Sequence, residues 1–304
     1  MARHFLKIAD LSPEEIINLI QAARANKGER SSVLAGRCLG MIFAKPSTRT
    51  RVSFTAGAYH LGAHIMFISA AEMQLGRGET IEDTSRVLSR YVDGVIIRTY
   101  RQEDIDRFAG VATIPVINGL TDERHPCQAL SDLMTISEFC DDLKKAKVVY
   151  LGDGNNVAIS LMQGCASVGI DITVCTPEDL APPSWAVEEA RTLAADSGSR
   201  VVVAPDPDEA VENADFLYTD VWFSMGQQKN PEKRQQLEPY RIDTELLAEA
   251  KPDAKVMHCL PAHRGEEISA EVMDGPQSIV FQQAENRLHA QKELLKLLIE
   301  HGQL

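Results

Sequence analysis

The sequence predicts an α/β protein built from two parallel-sheet domains of similar size, with an active site in the cleft between them. Short apolar runs alternate with stretches of helical period along almost the whole chain, which is the pattern of parallel strands joined by crossover helices. At 304 residues the chain is long enough for two cores of about 150 residues each. A charged stretch, Asp141-Asp142-Leu143-Lys144-Lys145-Ala146, lies between a helical pattern that ends at Phe139 and a fresh apolar run from Lys147. It reads as the boundary between a first domain, 1–140, and a second, 147–283.

Taken in order, strands are expected at 39–44, 65–68, 94–98, 114–118, 148–151, 171–174, 201–203, 216–219, 255–258 and 279–281. Each is a short apolar run between helical patterns or turn residues. A helix is expected over 126–139, with Pro126 at a first position where the missing N–H costs nothing. The last helix, within 284–304, carries Leu288, Leu295, Leu298 and Ile299 for burial and is expected to return onto the first domain. No fixed-period repeat or low-complexity tract is present, so solenoid and linker readings fall away.

Composition removes several function classes. The apolar fraction of 44% and charged fraction of 25% suit a soluble globular protein, while the net charge of −13 disfavours nucleic acid or an anionic membrane as a general partner. No apolar run approaches the roughly 20 residues of a membrane span, and the first residues lack a signal-peptide core, so a cytoplasmic protein is expected. Six cysteines are scattered without CxxC or Cys/His ligand spacing, so no metal site and no disulfide framework are expected.

Against that acidic background, Lys45-Pro46-Ser47-Thr48-Arg49-Thr50-Arg51 stands where a strand hands over to a helix. The first turn of a helix offers unpartnered N–H groups and the positive end of the macrodipole, so this run suits a dianionic phosphate; an ordinary capped helix is the alternative. Arg98 ends an expected strand, where parallel sheets collect ligands, although a salt bridge at the sheet edge would also explain it. His125 and Gln128 stand at the entrance of the 126–139 helix and have the donors and acceptors a carbamoyl-like group needs. A surface histidine beside a helix start is the plainer reading.

Gly152-Asp153-Gly154-Asn155-Asn156 follows a strand but lacks the third glycine of a dinucleotide turn, and the next strand ends in Cys175 and Thr176 rather than an acidic ribose ligand. A polar small molecule fits better, and no cofactor is expected. Asp220 opens a long polar loop and could hold an ammonium group or cap a local turn. Cys259, between His258 and Leu260-Pro261-Ala262-His263, could be a nucleophile, a metal ligand or a structural thiol.

Together the segments Ser47-Thr48-Arg49-Thr50, Arg98, His125-Pro126-Cys127-Gln128, Asp220 with Ser224-Met225-Gly226, and His258-Cys259-Leu260-Pro261 resemble the aspartate/ornithine transcarbamylase family in the right order. Gln74-Leu75-Gly76-Arg77-Gly78-Glu79 and Glu285-Asn286-Arg287 extend the resemblance over essentially the whole chain. It implies carbamoyl transfer from carbamoyl phosphate to the δ-amine of L-ornithine, giving citrulline and phosphate in arginine metabolism. It further implies that Ser47, Thr48, Arg49 and Thr50 hold the phosphate, that Arg98 reaches phosphate and carbonyl, that Gln74, His125, Pro126, Cys127, Gln128, Cys259, Leu260 and Arg287 complete the carbamoyl phosphate site, and that Cys259 and Leu260 also line the δ-amine. Asn156, Asp220, Ser224, Met225 and Cys259 would take ornithine. Arg49, Arg98, His125, Cys259 and Arg287 would be catalytic, the four basic groups supplying positive charge. In the family the site is shared between subunits of a homotrimer, and Gln74 matches a residue that reaches into the neighbour's site. Ala44 stands where a Glu is common, and Cys127 occupies a slot more often Thr, Met or Ile.

Overall fold

A computed structural model of the chain describes residues 2–70, 73, 78–223 and 230–300. The chain divides into two compact units, Met1–Met134 with Asn286–Leu304, and Thr135–Glu285. Each is an α/β unit around one parallel sheet.

The first unit contains α1 (Pro13–Ala25), β1 (Cys38–Phe43), α2 (Thr48–His60), β2 (His64–Ser69), α3 (Ile81–Leu88), β3 (Gly94–Arg98), α4 (Gln102–Val111), β4 (Val116–Leu120) and the start of α5 (Pro126–Phe139). Its strands run in the order β2-β1-β3-β4, all parallel. β3 is buried along its whole length, so its sequence is apolar without alternation. Val95, Ile97, Ile105, Phe108 and Val116 form part of the core under α4. The order reverses between β1 and β3, and outside such a switch point an open parallel sheet collects its ligand.

The second unit contains β5 (Lys147–Leu151), α6 (Asn156–Val168), β6 (Asp171–Cys175), α7 (Ser184–Ser197), β7 (Val201–Ala204), α8 (Pro207–Val211), β8 (Phe216–Thr219), α9 (Pro231–Leu237), α10 (Thr244–Ala248), β9 (Lys255–His258) and α11 (Ala270–Met273). The order is β7-β6-β5-β8-β9, again parallel, and here the switch lies between β5 and β8. α6 is buried from Val157 to Val168, which accounts for its apolar sequence on every face. Val149, Leu217, Val256 and Ile268 are fully buried in the core beside β8 and β9.

Two expected strands differ. Residues 279–281 do not form a strand; α12 (Val280–Glu300) begins there, and sheet pairing stops at a bridge between Ser278 and Val256, with Ile279 N–H donating to Val256 O at 3.0 Å. The helix-forming run that follows Val280 captures it and leaves Phe281 exposed. The strand expected at 114–118 is displaced to Val116–Leu120, because Pro115 has no N–H to give and serves the ladder only through its carbonyl, which accepts from Val95. The polar Asn118 is tolerated inside it because its amide donates to Leu6 O and Gln102 Oε1. The later turns of α12 lie with the first unit, where Lys292 donates to the carbonyls of Asn26 and Glu29 beyond the end of α1. No helix among the described residues is long and apolar enough to cross a membrane.

Candidate active site

The carboxyl ends of β1 and β3 carry the first group of side chains. Ser47 caps α2: its backbone is extended and its hydroxyl accepts from Thr50 N–H at 3.3 Å. α2 has no acidic residue in its first turn, so no carboxylate of that turn offsets the positive helix end. Thr48 is exposed and Arg49 half-buried, whereas Thr50 is fully buried. Arg98, the last residue of β3, is buried at a point where the β3–β4 register slips by one residue.

Arg287, on α12, ties the group together. Its guanidinium donates to Thr50 Oγ1 at 2.9 Å and to Gln128 Oε1 at 3.0 Å, and Gln128 passes a hydrogen bond on to Asp132 at 2.8 Å. α2, α5 and α12 are thereby fixed at one buried point. Each end of the Gln128 carboxamide is used once, which leaves one lone pair and one N–H on that group for a ligand. Pro126 is the first residue of α5, and His125 precedes it with its carbonyl accepting from Gln128 N–H and Ala129 N–H. Cys127 turns its thiol to Asn118 O at 3.3 Å, and burial pushes that thiol up to about 12 against the pull of Arg287. It is no second reactive thiol.

His125 requires a correction. Burial, followed by the charges of Arg287, Arg98 and Arg49, holds its imidazole well below the usual histidine range of 6.5, so it is neutral and adds no positive charge. What it offers is one N–H donor and one acceptor. The unfolded chain protonates this side chain below 6.5 and the native chain does not, so His125 withdraws stability as pH falls below 6.5 and has no effect above it. An imidazole NMR titration is expected to show His125 unchanged between about pH 7 and pH 6; a shift through that window would contradict the assignment.

The second group stands at the ends of β5, β8 and β9. Gly152, at φ 131°, turns the chain out of β5, and Gly154 is pressed against the neighbouring segment so closely that a Cβ would lie 2.3 Å from Pro182 N and 2.6 Å from Leu180 O. These glycines serve a tight polar turn rather than a dinucleotide. Asn155 caps α6, accepting from Val157 N–H at 2.9 Å and Ala158 N–H at 3.2 Å, and donates its amide to Asp220 Oδ2 at 2.9 Å. Asp220, directly after β8, is buried and also accepts from the Cys259 thiol at 2.9 Å. Asn156 begins α6, half-buried. Leu260 follows Cys259 in a left-handed conformation, φ 61°, that a branched side chain adopts only when its surroundings hold it. His258 holds it: Nδ1 accepts Leu260 N–H at 2.8 Å, and Nε2 donates to the buried Glu267 at 3.2 Å. Burial would raise the Glu267 carboxyl, but the hydrogen bonds from His258 and from His263 N–H bring it below the usual carboxylate range.

Ligand atoms of Asp220, His258 and Cys259 lie within 4.8 Å of one another. Both imidazole nitrogens of His258 and the thiol proton are already engaged with protein groups, so the trio reads as a hydrogen-bonded site for a polar ligand. Gln74, Ser224 and Met225 lie outside the described residues.

Residues 3–138 match the aspartate/ornithine carbamoyltransferase carbamoyl-P binding domain, and residues 144–298 match the Asp/Orn binding domain of the same family. The chain belongs to the aspartate/ornithine carbamoyltransferase family. It is 52% identical over 299 residues to the ornithine carbamoyltransferase of Bacillus thuringiensis subsp. konkukian, covering 98% of this chain and 95% of that protein. Among solved structures, ornithine carbamoyltransferase from Pyrococcus furiosus matches with a TM-score of 0.96 and 49% identity, covering 99% of this chain and 98% of the other. A mitochondrial ornithine carbamoyltransferase from Coccidioides immitis matches with a TM-score of 0.93 and 33% identity, covering 100% and 99%.

Within this carbamoyltransferase chain, sequence reasoning set Asn155 and Asn156 at a helix start for a polar ligand but did not foresee the Asn155 amide on Asp220, which fixes the carboxylate. Its signal was present: the first Asn of an Asn-Asn pair opening a helix is a cap, and a cap side chain has an amide to spare. His258 and Glu267, which support the turn at Leu260, carried no such signal.

Proposed function

We infer that the protein is an ornithine carbamoyltransferase: it transfers the carbamoyl group of carbamoyl phosphate to the δ-amine of L-ornithine, giving citrulline and phosphate in arginine metabolism. The observation that carries the choice of an amino-acid acceptor is Asp220. It is a buried carboxylate hydrogen-bonded by an amide and a thiol, and among the described residues no Lys or Arg pairs with it. A buried charge without a counter-charge is costly, and the α-ammonium of ornithine would supply one.

In this reading the α2 N-terminus takes the phosphate through Ser47, Thr48, Arg49 and Thr50, with Arg98 at the adjoining strand end. Neutral His125 donates its N–H to the carbamoyl oxygen, and Arg287 and Gln128 complete the surroundings of the developing oxyanion. Cys127 would serve only through its backbone, since its thiol is spent on Asn118. The δ-amine must be neutral to attack, and for a group with a pKa near 10.4 that costs about 4–5 kcal/mol at pH 7. Desolvation and the nearby cations lower that cost, and the departing phosphate accepts the proton. Cys259 gives its own proton to Asp220, and its sulfur accepts from the amine and orients it, with Leu260 beside it. A Cys259→Ser variant is expected to keep its fold and lose about 10-fold in kcat or more, because a shorter hydroxyl misplaces the nucleophile; an unchanged rate and pH profile would remove Cys259 from the mechanism.

A homotrimer with shared sites, Gln74 reaching into the neighbour's, belongs to the same reading. It is supported by β2, an edge strand whose Met66 and Phe67 are exposed, and by exposed Val52 on α2. Light scattering that returns a monomer would contradict it. A cytoplasmic location is supported by six free cysteines. The function itself is tested by kcat/KM for L-ornithine, putrescine and L-aspartate with carbamoyl phosphate: ornithine is expected to lead, and preference for either rival amine would overturn the assignment.

A further inference from the structure

Beside Asp220 stands a second carboxylate that the reaction as described does not use. Asp153 lies in the turn after β5, and Asp220 directly follows β8. Those two strands are neighbours, with Leu151 paired to Thr219, so both acids leave the same side of the sheet switch. They are linked through one residue: Asp153 O accepts from Asn155 N–H at 2.7 Å, and the Asn155 amide donates to Asp220. Unlike Asp220, Asp153 has a cation of its own. Lys233, on α9, reaches across to it with Nζ 2.6 Å from Oδ2, and only 18% and 20% of the two side chains are exposed. The ammonium also stands 5.9 Å from the Phe223 ring centroid.

Among the described residues, two carboxylates and one ammonium leave this pocket with one negative charge. We propose that Lys233, by neutralising Asp153, sets the charge of the amino-acid pocket and so determines its specificity for an α-amino acid over a simple alkyl diamine. The inference rests on the ornithine reading. Ornithine brings one α-ammonium, which Asp220 matches, and one α-carboxylate, which an uncompensated Asp153 would repel. A diamine brings no carboxylate and a larger positive charge, so a pocket with two negative charges would suit it better. The opposed influences are visible at Asp153: burial raises its carboxyl, Lys233 draws it down, and Asp220 pushes it up again.

The test is the ratio of kcat/KM for L-ornithine to that for putrescine, at saturating carbamoyl phosphate. It is measured for the wild type, Lys233→Met, Lys233→Arg, Asp153→Asn and the Lys233→Met/Asp153→Asn pair. Lys233→Met is expected to lower the ratio about tenfold, the worth of one near charge. Lys233→Arg should hold the ratio, and the double variant, back at one negative charge, should restore it. Asp153→Asn alone should move the ratio towards ornithine, which keeps the proposal testable if Lys233→Met fails to fold. A purely structural role would lower both substrates alike and leave the ratio fixed in every variant; that result overturns the proposal. A wild type that forms citrulline while the ratio stays fixed overturns this inference alone, whereas a wild type that carbamoylates neither amine overturns the ornithine reading and this inference with it.

Discussion

An Arg287→Met variant is expected to lose about 10²–10³-fold in kcat/KM for carbamoyl phosphate, the loss typical of removing one preorganised donor from a developing oxyanion. Met keeps much of the volume of the buried side chain, so the change is mainly one of charge and hydrogen bonding. Two groups lose their partner, Thr50 Oγ1 and Gln128 Oε1, at about 1–3 kcal/mol for each buried acceptor left unsatisfied, so a lower melting temperature should accompany the kinetic defect. A second readout separates the two effects. Arg287 is the foremost of the charges that keep His125 neutral. Its removal should let the imidazole pKa move up towards 6.5, visible in the same NMR titration that is expected to be flat for the parent protein. Steady-state rates over a range of carbamoyl phosphate concentrations at saturating ornithine, taken well below the melting temperature, decide the matter; a variant with the parent's kcat/KM would take Arg287 out of the reaction.

An Asp220→Asn variant should instead fail on the amino-acid side. The amide keeps one oxygen, which serves either the Asn155 amide or the Cys259 thiol, sets an NH2 in place of the other, and carries no charge for an ammonium group. Losing one buried charge pair costs about 2–5 kcal/mol, so kcat/KM for ornithine is expected to fall by at least about 30-fold. The KM for carbamoyl phosphate should move little. Equal losses for both substrates would mean that Asp220 supports the fold rather than the ligand.

Much of this was legible in the sequence where the determinant is local. The hydroxyl-and-arginine run at Ser47 to Arg51 announces a helix N-terminus, because capping and anion binding use the same atoms. Arg98 and Asp220 were placed correctly at strand ends by the apolar runs before them, and the start of α5 by Pro126. What escaped depends on partners remote in the chain. Arg287 is 237 residues from Thr50 and 159 from Gln128, and Lys233 is 80 from Asp153. No local pattern encodes such pairings; they follow from which strand ends the topology brings together. The charge state of His125 escaped for the same reason, since its neutrality arises from burial and from arginines on three different elements. The run at 279–281 misled because three apolar residues suit a strand and a helix start equally, and the helix-forming residues that follow decide between them.

The central claim is that this chain moves a carbamoyl group onto the side-chain amine of ornithine. It is tested most directly by mixing the purified protein with carbamoyl phosphate labelled in its carbamoyl carbon and with L-ornithine, and following the label and the released phosphate together. The expected result is transfer of the label into citrulline with one phosphate released per citrulline formed. Label that stays in carbamoyl phosphate, or leaves it only by uncatalysed breakdown while ornithine remains unmodified, would contradict the account.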